Sequence, residues 1–448
     1  MRFTICDLRF AIAALAVALL GLPAVAAERS ATNANPIDLV TALRLAGAQN
    51  LDVQIARERV KEAKAQHEQA RLQFFPWLSP SVGYKRHDGN IQDVAGNVFD
   101  ASKQSYNIGA SLNAQLDLGD AIYKSVAAKQ LALAAEEAAE ARRQETVFAA
   151  AAGYFELARA KASVGVAQEA LRISQDYAGQ VQRAVEAGIA FKGDSFRAQV
   201  QVEKNQILVR QAQEQQRVAA ARLAQTLRLP PATELAPEDA ELGPLIFVES
   251  NIALESLVVR ALASRPELKQ FNAQRLAAES AKDGTTTGPL IPTVGAQAFF
   301  GGLGGGRNGS TGNFDDTQDY LFGLSWKIGP GGIGDRARIR AAEARLKVGE
   351  FEFEKARDEV TRQVVEAQTR VQSLADQLAL AKRSLGTAEQ LLKLTRERKE
   401  FGVGAVLENI QAEQELTRAR NDYLSVVADF NKAQFALKRA VGAEAAAR

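Results

Sequence analysis

Two carboxylates, Asp194 and Glu408, each stand six residues beyond a glycine, Gly188 and Gly402, in segments that match along their length: RAVEAGIAFKGDSFRAQ and RKEFGVGAVLENIQAEQ. An acid just inside a helix start is favoured by the exposed N–H groups and the dipole there, whatever else it does. Little else in the chain can do chemistry. No Cys follows residue 26, and the only histidines are His67, in a Gln/Arg-rich helix, and His87, in a loop. Disulfides, thiolate zinc sites and cysteine nucleophiles are thereby excluded, and no Ser or Asp sits in a recognisable nucleophile setting. GGLGGGRNGSTGNFDDTQ lacks the Lys-Ser/Thr of a phosphate loop and opens no helix, so it reads as an exposed turn. The sequence points to a protein that is not an enzyme, with no cofactor and no metal site.

The elements that place these acids follow from composition and pattern. Of 448 residues, 46% are hydrophobic, 24% charged and 6% aromatic. Lys+Arg number 55 against 53 Asp+Glu, a balance that excludes a nucleic-acid field. An apolar run from Phe10 to Leu22 and the small residues around Ala26 read as a secretory signal peptide, residues 1–26. The run is about 13 residues, short of the roughly 20 that a membrane-spanning helix needs. No later segment reaches that length, so membrane residence would require β-structure.

The prolines leave two long Pro-free blocks, and sliding the chain by about 214 to 216 residues superposes them. This predicts a duplication: a first repeat over 27–229, an inter-repeat segment over 230–253, a second repeat over 254–442 and a tail at 443–448. Each repeat is expected to hold an opening helix that runs on toward its Pro, a strand pair, a very long helix and a shorter one. The strands are expected near 80–86 and 105–118, then 291–300 and 319–328. From Tyr106 to Leu118 every second residue is apolar, the mark of one apolar and one polar face. Thirteen residues at about 3.3 Å each, tilted near 45°, cross about 30 Å, enough for a bilayer. Four strands cannot close a barrel alone.

The long helices are expected over 120–186 and 335–400, the shorter ones over 191–228 and 405–441. Val360, Val364, Ala367, Val371, Leu374, Leu378, Ala381, Leu385, Ala388 and Leu392 step by four and three, as do Val164, Ala167, Leu171, Ser174, Ala178, Val181 and Val185. A sustained 3.5-residue period imposes coiled-coil packing, and small Ala in the seam draws the axes together. Two shorter helices end to end match one long one, as a wall of uniform height requires.

Over essentially the whole mature chain the sequence resembles the TolC family of outer-membrane efflux and secretion channels. The likeness rests on the NLDV and RPEL helix openings, the passages LDLGD and WKIGPGG, the GYFEL stretch from Gly153 and the two Gly-x5-acid turns. The resemblance implies a mainly α fold with a small β part: a homotrimer whose four strands per chain make a twelve-stranded outer-membrane β-barrel, continued into the periplasm by an α-barrel. It implies a passive exit duct of a tripartite efflux or type I secretion system, with an adaptor and an inner-membrane pump as partners. It further implies that Gly188 and Gly402 mark periplasmic tips for adaptor docking and that Asp194, Glu408, Gln411 and Lys399 stand at the gate. Gln411 replaces a common acid, Lys399 a common aromatic and Gly404 an occasional Arg, which leaves Glu408 as the main candidate for a threefold ring and a Lys399–Asp194 pair as a substitute latch. Three carboxylates close together would repel, raising their pKa and binding cations. Phe74, Phe75, Trp77, Tyr320 and Trp326 flank the strand ends as girdle candidates. A second reading, a periplasmic coiled-coil adaptor or spacer, would also show a signal peptide, heptads and some strands.

Overall fold

In the computed structural model the described residues are 35–230, 233–238, 242–249, 252–308, 311–400 and 406–442, without the side chains of Lys399 and Glu400. The expected signal peptide, the tail at 443–448, Gly402 and Gly404 lie outside them. The chain runs β1 (Asn35–Ile37), α1 (Leu39–Gln49), α2 (Leu51–Leu72), β2 (Trp77–Gln92), β3 (Val98–Asp117), α3 (Leu118–Glu186), α4 (Lys192–Leu227) and β4 (Leu235–Pro237). It continues with α5 (Leu254–Ser264), α6 (Pro266–Thr286), a 3-10 turn (Gly288–Leu290), β5 (Thr293–Arg307), β6 (Asp315–Ser325), α7 (Arg336–Glu400) and α8 (Val406–Ala440).

Each opening helix is two helices, not one. The break falls at Asn50, whose extended backbone (φ −60°, ψ 138°) frees its side chain to accept from the Asp52 N–H and cap α2. In the second half Pro266 begins α6, and a residue before proline is pushed out of the helical region, so Arg265 is extended as well (φ −63°, ψ 126°). Both junction residues also reach the end of their own half: Asn50 Nδ2 donates to the Thr226 carbonyl at 2.8 Å, and Arg265 Nη1 to the Arg439 carbonyl at 3.3 Å. The duplication read in the sequence thus recurs as a duplicated anchoring contact.

α3 has 69 residues and α7 has 65, each about 100 Å long. Their seam positions are buried or half-buried throughout, including the polar Ser174, whose hydroxyl donates to the Leu171 carbonyl at 2.9 Å. One core gathers α1, α3 and α4 around Tyr154, Phe155, Leu157, Leu223 and Leu227. Another gathers α5, α7 and α8 around Leu257, Val364, Val371 and Leu437. Leu223 and Leu437, paired by the repeat offset, are 0% and 1% exposed. GYFEL finds its role here: Tyr154 and Phe155 fill the first core while Gly153 lets Leu223 approach.

β1 and β4 form a short parallel pair, and the four long strands form an antiparallel sheet in the order β2-β3-β5-β6. They reach further than the alternation alone suggested, because the hairpin ends pair although their side chains are polar. β6 starts earlier, at Asp315 and not 319, but stops at Ser325 and not 328; the chain turns out through Gly329 and Gly331, both at positive φ. Register puts Leu78, Val82 and Tyr84, Tyr106, Ile108 and Leu112, Val294 and Phe300, and Tyr320, Phe322 and Leu324 on one face. Much of that face is exposed, Val82 at 81% and Phe322 at 71%, while Phe314 stacks over Tyr106 at its loop end. From Tyr106 to Leu116 it measures about 33 Å along the strand and, with strands tilted near 45°, about 25 Å in height, the height of the lipid-facing band of an outer-membrane barrel. The other face carries Ser79, Ser81, Asn107, Ser111, Asn113, Gln115, Thr317 and Asp319. Among the described helices none is long and apolar enough to cross a membrane.

Sheet and helices meet where α3 starts. A Cβ on Gly119 would lie 2.0 Å from the Gly288 carbonyl oxygen, so this crossing of the two repeats requires the glycine of LDLGD.

Candidate functional site

α3 ends in a Schellman turn. Gly188 has φ +73°, its N–H donates to the Val185 carbonyl at 3.0 Å, and the Ile189 N–H donates to the Ala184 carbonyl at 2.8 Å. The Ser195 hydroxyl then donates to Gln182 Oε1 at 2.6 Å, stapling α4 back onto α3. Asp194 lies in the first turn of α4, where no side chain caps Phe191. Its carboxylate accepts from Arg197 at 3.0 Å, one turn along the same helix. The side chain of Lys399, its expected partner, is outside the described residues.

Glu408 lies in the first turn of α8 and meets Arg398, near the end of α7, at 3.4 Å. This pair spans the α7–α8 hairpin and was not read from the sequence, because Arg398 is one of several basic residues in LTRERKE. Gln411 follows one turn later and is exposed. Asp194 therefore lies at one helix start and Glu408 and Gln411 at another, with Lys399 at the end of α7, and each acid is held by an arginine of its own hairpin.

Behind these acids lies a polar cluster that sequence reasoning missed. Asn409 is 1% exposed and donates through Nδ2 to Glu413 Oε1 at 2.9 Å; Glu413 is itself 7% exposed, with Arg396 Nη2 at 3.9 Å. Tyr177 of α3 faces them, its phenol pushed up to about 12 by burial and by the charges of Glu413 and Asp194. Together with Arg172, Asp176 and Gln180 these groups line a cavity of about 440 Å³ between the two hairpins. A little further from the tip, Gln414 donates to Gln201 at 2.7 Å, Gln201 to Asn205 at 3.1 Å, and Asn205 to the Ala170 carbonyl at 3.0 Å. This relay of neutral amides joins α8, α4 and α3. Its signal was present: Gln201 and Asn205, like Asn409 and Glu413, stand four apart between apolar residues of the packed face.

A third contact set holds the middle of the molecule. Asn431 and Gln434, both 0% exposed on α8, treat the segment 243–248 as a strand edge. Asn431 accepts from the Leu245 N–H at 2.7 Å and donates to the Gly243 carbonyl at 2.9 Å, while Gln434 Oε1 accepts from the N–H groups of Phe247 and Val248 at 3.1 and 3.0 Å. Nearby, Lys432 bridges the repeats to Glu156 at 2.7 Å. Burial alone would raise the Glu156 carboxyl, but hydrogen bonds from Arg159 and Lys432 outweigh it and hold it at about 2.

The family model described as "Outer membrane efflux protein" matches residues 42–227 and again 257–443, one match to each half. The chain belongs to that family. Protein CyaE of Bordetella pertussis is 26% identical over 406 residues, 86% of this chain and 79% of that protein. The solvent efflux pump outer membrane protein SrpC of Pseudomonas putida is 23% identical over 409 residues, 90% of this chain and 85% of that protein. Among solved structures, a membrane protein from Pseudomonas aeruginosa superposes with a TM-score of 0.77 at 22% identity, covering 91% of each chain. Outer membrane efflux proteins are channels, not enzymes, and this one is an outer-membrane channel component. The adaptor or spacer reading gives way to the family match in both halves.

Proposed function

We propose that three copies assemble into a passive exit duct for a tripartite efflux or type I secretion system. The sheet carries the reading: among the described residues the outer edges of β2 and β6 are unpaired, and large apolar side chains such as Val82, Tyr320 and Phe322 stand exposed on one face. An open edge in lipid leaves backbone groups unsatisfied, so edge must meet edge. Four strands curve too little to close, whereas twelve close comfortably. Residues 1–26 would direct export, 27–229 and 254–442 would be the structural repeats, and 230–253 the belt that joins them.

In this assembly a periplasmic adaptor engages the tips at Gly188 and Gly402, and the adaptor in turn meets an inner-membrane pump that selects the cargo. Asp194, Glu408, Gln411 and Lys399 surround the closed entrance, with Glu408 forming the ring. The duct itself performs no chemistry and needs no cofactor.

Because no Cys follows residue 26, introduced cysteines report cleanly. With Ser81→Cys on β2 and Thr317→Cys on β6, oxidation in detergent-extracted outer membrane is expected to yield covalent trimers on denaturing gels. A species that stays monomeric in mass and uncrosslinked refutes the assembly. For the gate, Glu408→Gln is expected to abolish block of single-channel current by divalent cations; unchanged block removes Glu408 from the pore.

A further inference from the structure

The polar face of the sheet bears, at its loop end, basic residues that the duct reading leaves unused. Lys103 of β3 is the registered partner of His87 on β2 and also of Arg307 on β5. Three adjacent strands therefore carry a basic row at one level, with neighbouring strands about 4.8 Å apart. Lys85 stands two residues from His87 and thus on the same face. Lys85, Lys103 and Arg307 are exposed, and none of them enters an ion pair among the described residues.

The opposite face at the same level is arranged differently. There Arg86 is neutralised by Asp88 at 2.6 Å, Asp88 also accepts from Ser102 at 2.6 Å, and Asp100 lies on that side. The acids that share the basic face, Asp315 and Asp319 on β6, are registered with Leu303 and Phe299, four and eight residues down β5 from Arg307. Asp93 is occupied within its turn by Asn97, whose N–H it accepts at 2.8 Å. Like charges directly opposite on a sheet are destabilising, so a basic row without an acid at its level is a place where a counter-anion is favoured.

We propose that this row is a binding site for soluble multivalent anions, molecules bearing several phosphate or sulfate groups, in the outer vestibule of the channel. The proposal rests on the trimeric duct reading, which turns the polar face toward the lumen and repeats the row three times around it. Lys85, Lys103 and Arg307 of each chain then face one water-filled mouth, where low-dielectric walls focus their field and long side chains reach a common ligand. Arg307 supplies the planar fork that suits a phosphate edge, and the lysines supply mobile point charges. An anionic cargo would be drawn toward the exit, and an external polyanion would be held at it.

The test uses the full-length protein in neutral detergent, with its mass confirmed by light scattering, and inositol hexakisphosphate as the calorimetric probe. Saturable binding is expected, weakening steeply with salt. In Lys85→Gln/Lys103→Gln/Arg307→Gln the affinity is expected to fall at least tenfold, with Lys103→Gln alone showing part of the loss. Arg86→Gln, on the other face, is expected to leave the affinity unchanged. Equal affinity in wild type and triple variant overturns the site, as does a trimer that does not bind the probe. Competition by phosphatidylglycerol added to the micelles would place the row against lipid and also overturn it. A protein that is not a trimer by mass fails the duct reading instead, so the two failures are distinguishable.

Discussion

Removing the charge of Glu156 tests how firmly the two repeats are joined. Glu156 on α3 pairs with Arg159 one turn away and with Lys432 on α8, across the repeat boundary, beside the tilted Phe155–Phe435 ring pair at 6.1 Å. A carboxyl moved from 4.5 to about 2 corresponds to about 3 kcal/mol between its two protonation states. The side chain is one-third exposed, and solvent screening cuts this to about 1–2 kcal/mol of stability. The sign follows from the depressed folded value: the contribution is fully present above about 4.5, shrinks as pH falls through that range, and is gone below about 2. Glu156→Gln keeps the shape and one acceptor but loses the charge. By circular dichroism of the purified protein, its helices are expected to melt about 1–2 °C below wild type at pH 7, with the gap closing between about pH 4.5 and pH 2. A gap of the same size at pH 7 and at pH 2.5 would refute the reasoning, since a purely steric defect does not titrate.

Gly119→Ala places a methyl 2.0 Å from the Gly288 carbonyl oxygen, backbone that cannot step aside; the variant is expected to lose outer-membrane yield, measured by quantitative blotting of membrane fractions. Gly188→Ala must hold φ near +73° with a Cβ, at a cost of about 1 kcal/mol, so amide hydrogen exchange is expected to rise by about fivefold in residues 184–190 while the rest of α3 is unchanged. Asn431→Leu leaves the Leu245 N–H and the Gly243 carbonyl without their partner, a loss of about 1–3 kcal/mol, and the segment 243–248 is expected to become the first site of limited proteolysis.

Much of this architecture was legible in the sequence because it rests on signals repeated many times. The period of 3.5 runs through ten positions of α7, and the glycine and proline punctuation occurs twice, so a single deviation such as Ser174 does not obscure the pattern. Alternation from Tyr106 to Leu118 revealed the sheet's two faces but not the strand ends, since beyond the bilayer band neither face need be apolar and pairing continues through polar residues to Gln92 and Arg307. The breaks at Asn50 and Arg265 were missed for a related reason. An asparagine within a helical period is tolerated as readily as it caps, and Pro266 marks a start only if the preceding residue is known to be extended.

The buried polar groups were the least legible, and the reason is compositional. In a chain whose exposed helix faces are rich in Gln, Arg and Glu, Gln201, Asn205, Gln414, Asn431 and Gln434 look like surface residues of a coiled coil. What distinguishes them is a partner about 200 residues away or on another helix, which local periodicity does not carry. These amides also explain how two repeats of similar packing are kept in one arrangement. Apolar seams made largely of Ala and Val tolerate sliding by a turn at small cost, whereas a buried amide that loses its partner forfeits about 1–3 kcal/mol. Gln201 satisfied by Gln414, and the 243–248 backbone satisfied by Asn431 and Gln434, each admit one register between the hairpins. Neutral amides hold that register at any pH and salt concentration, so the charged residues at the tips are free to respond to their surroundings.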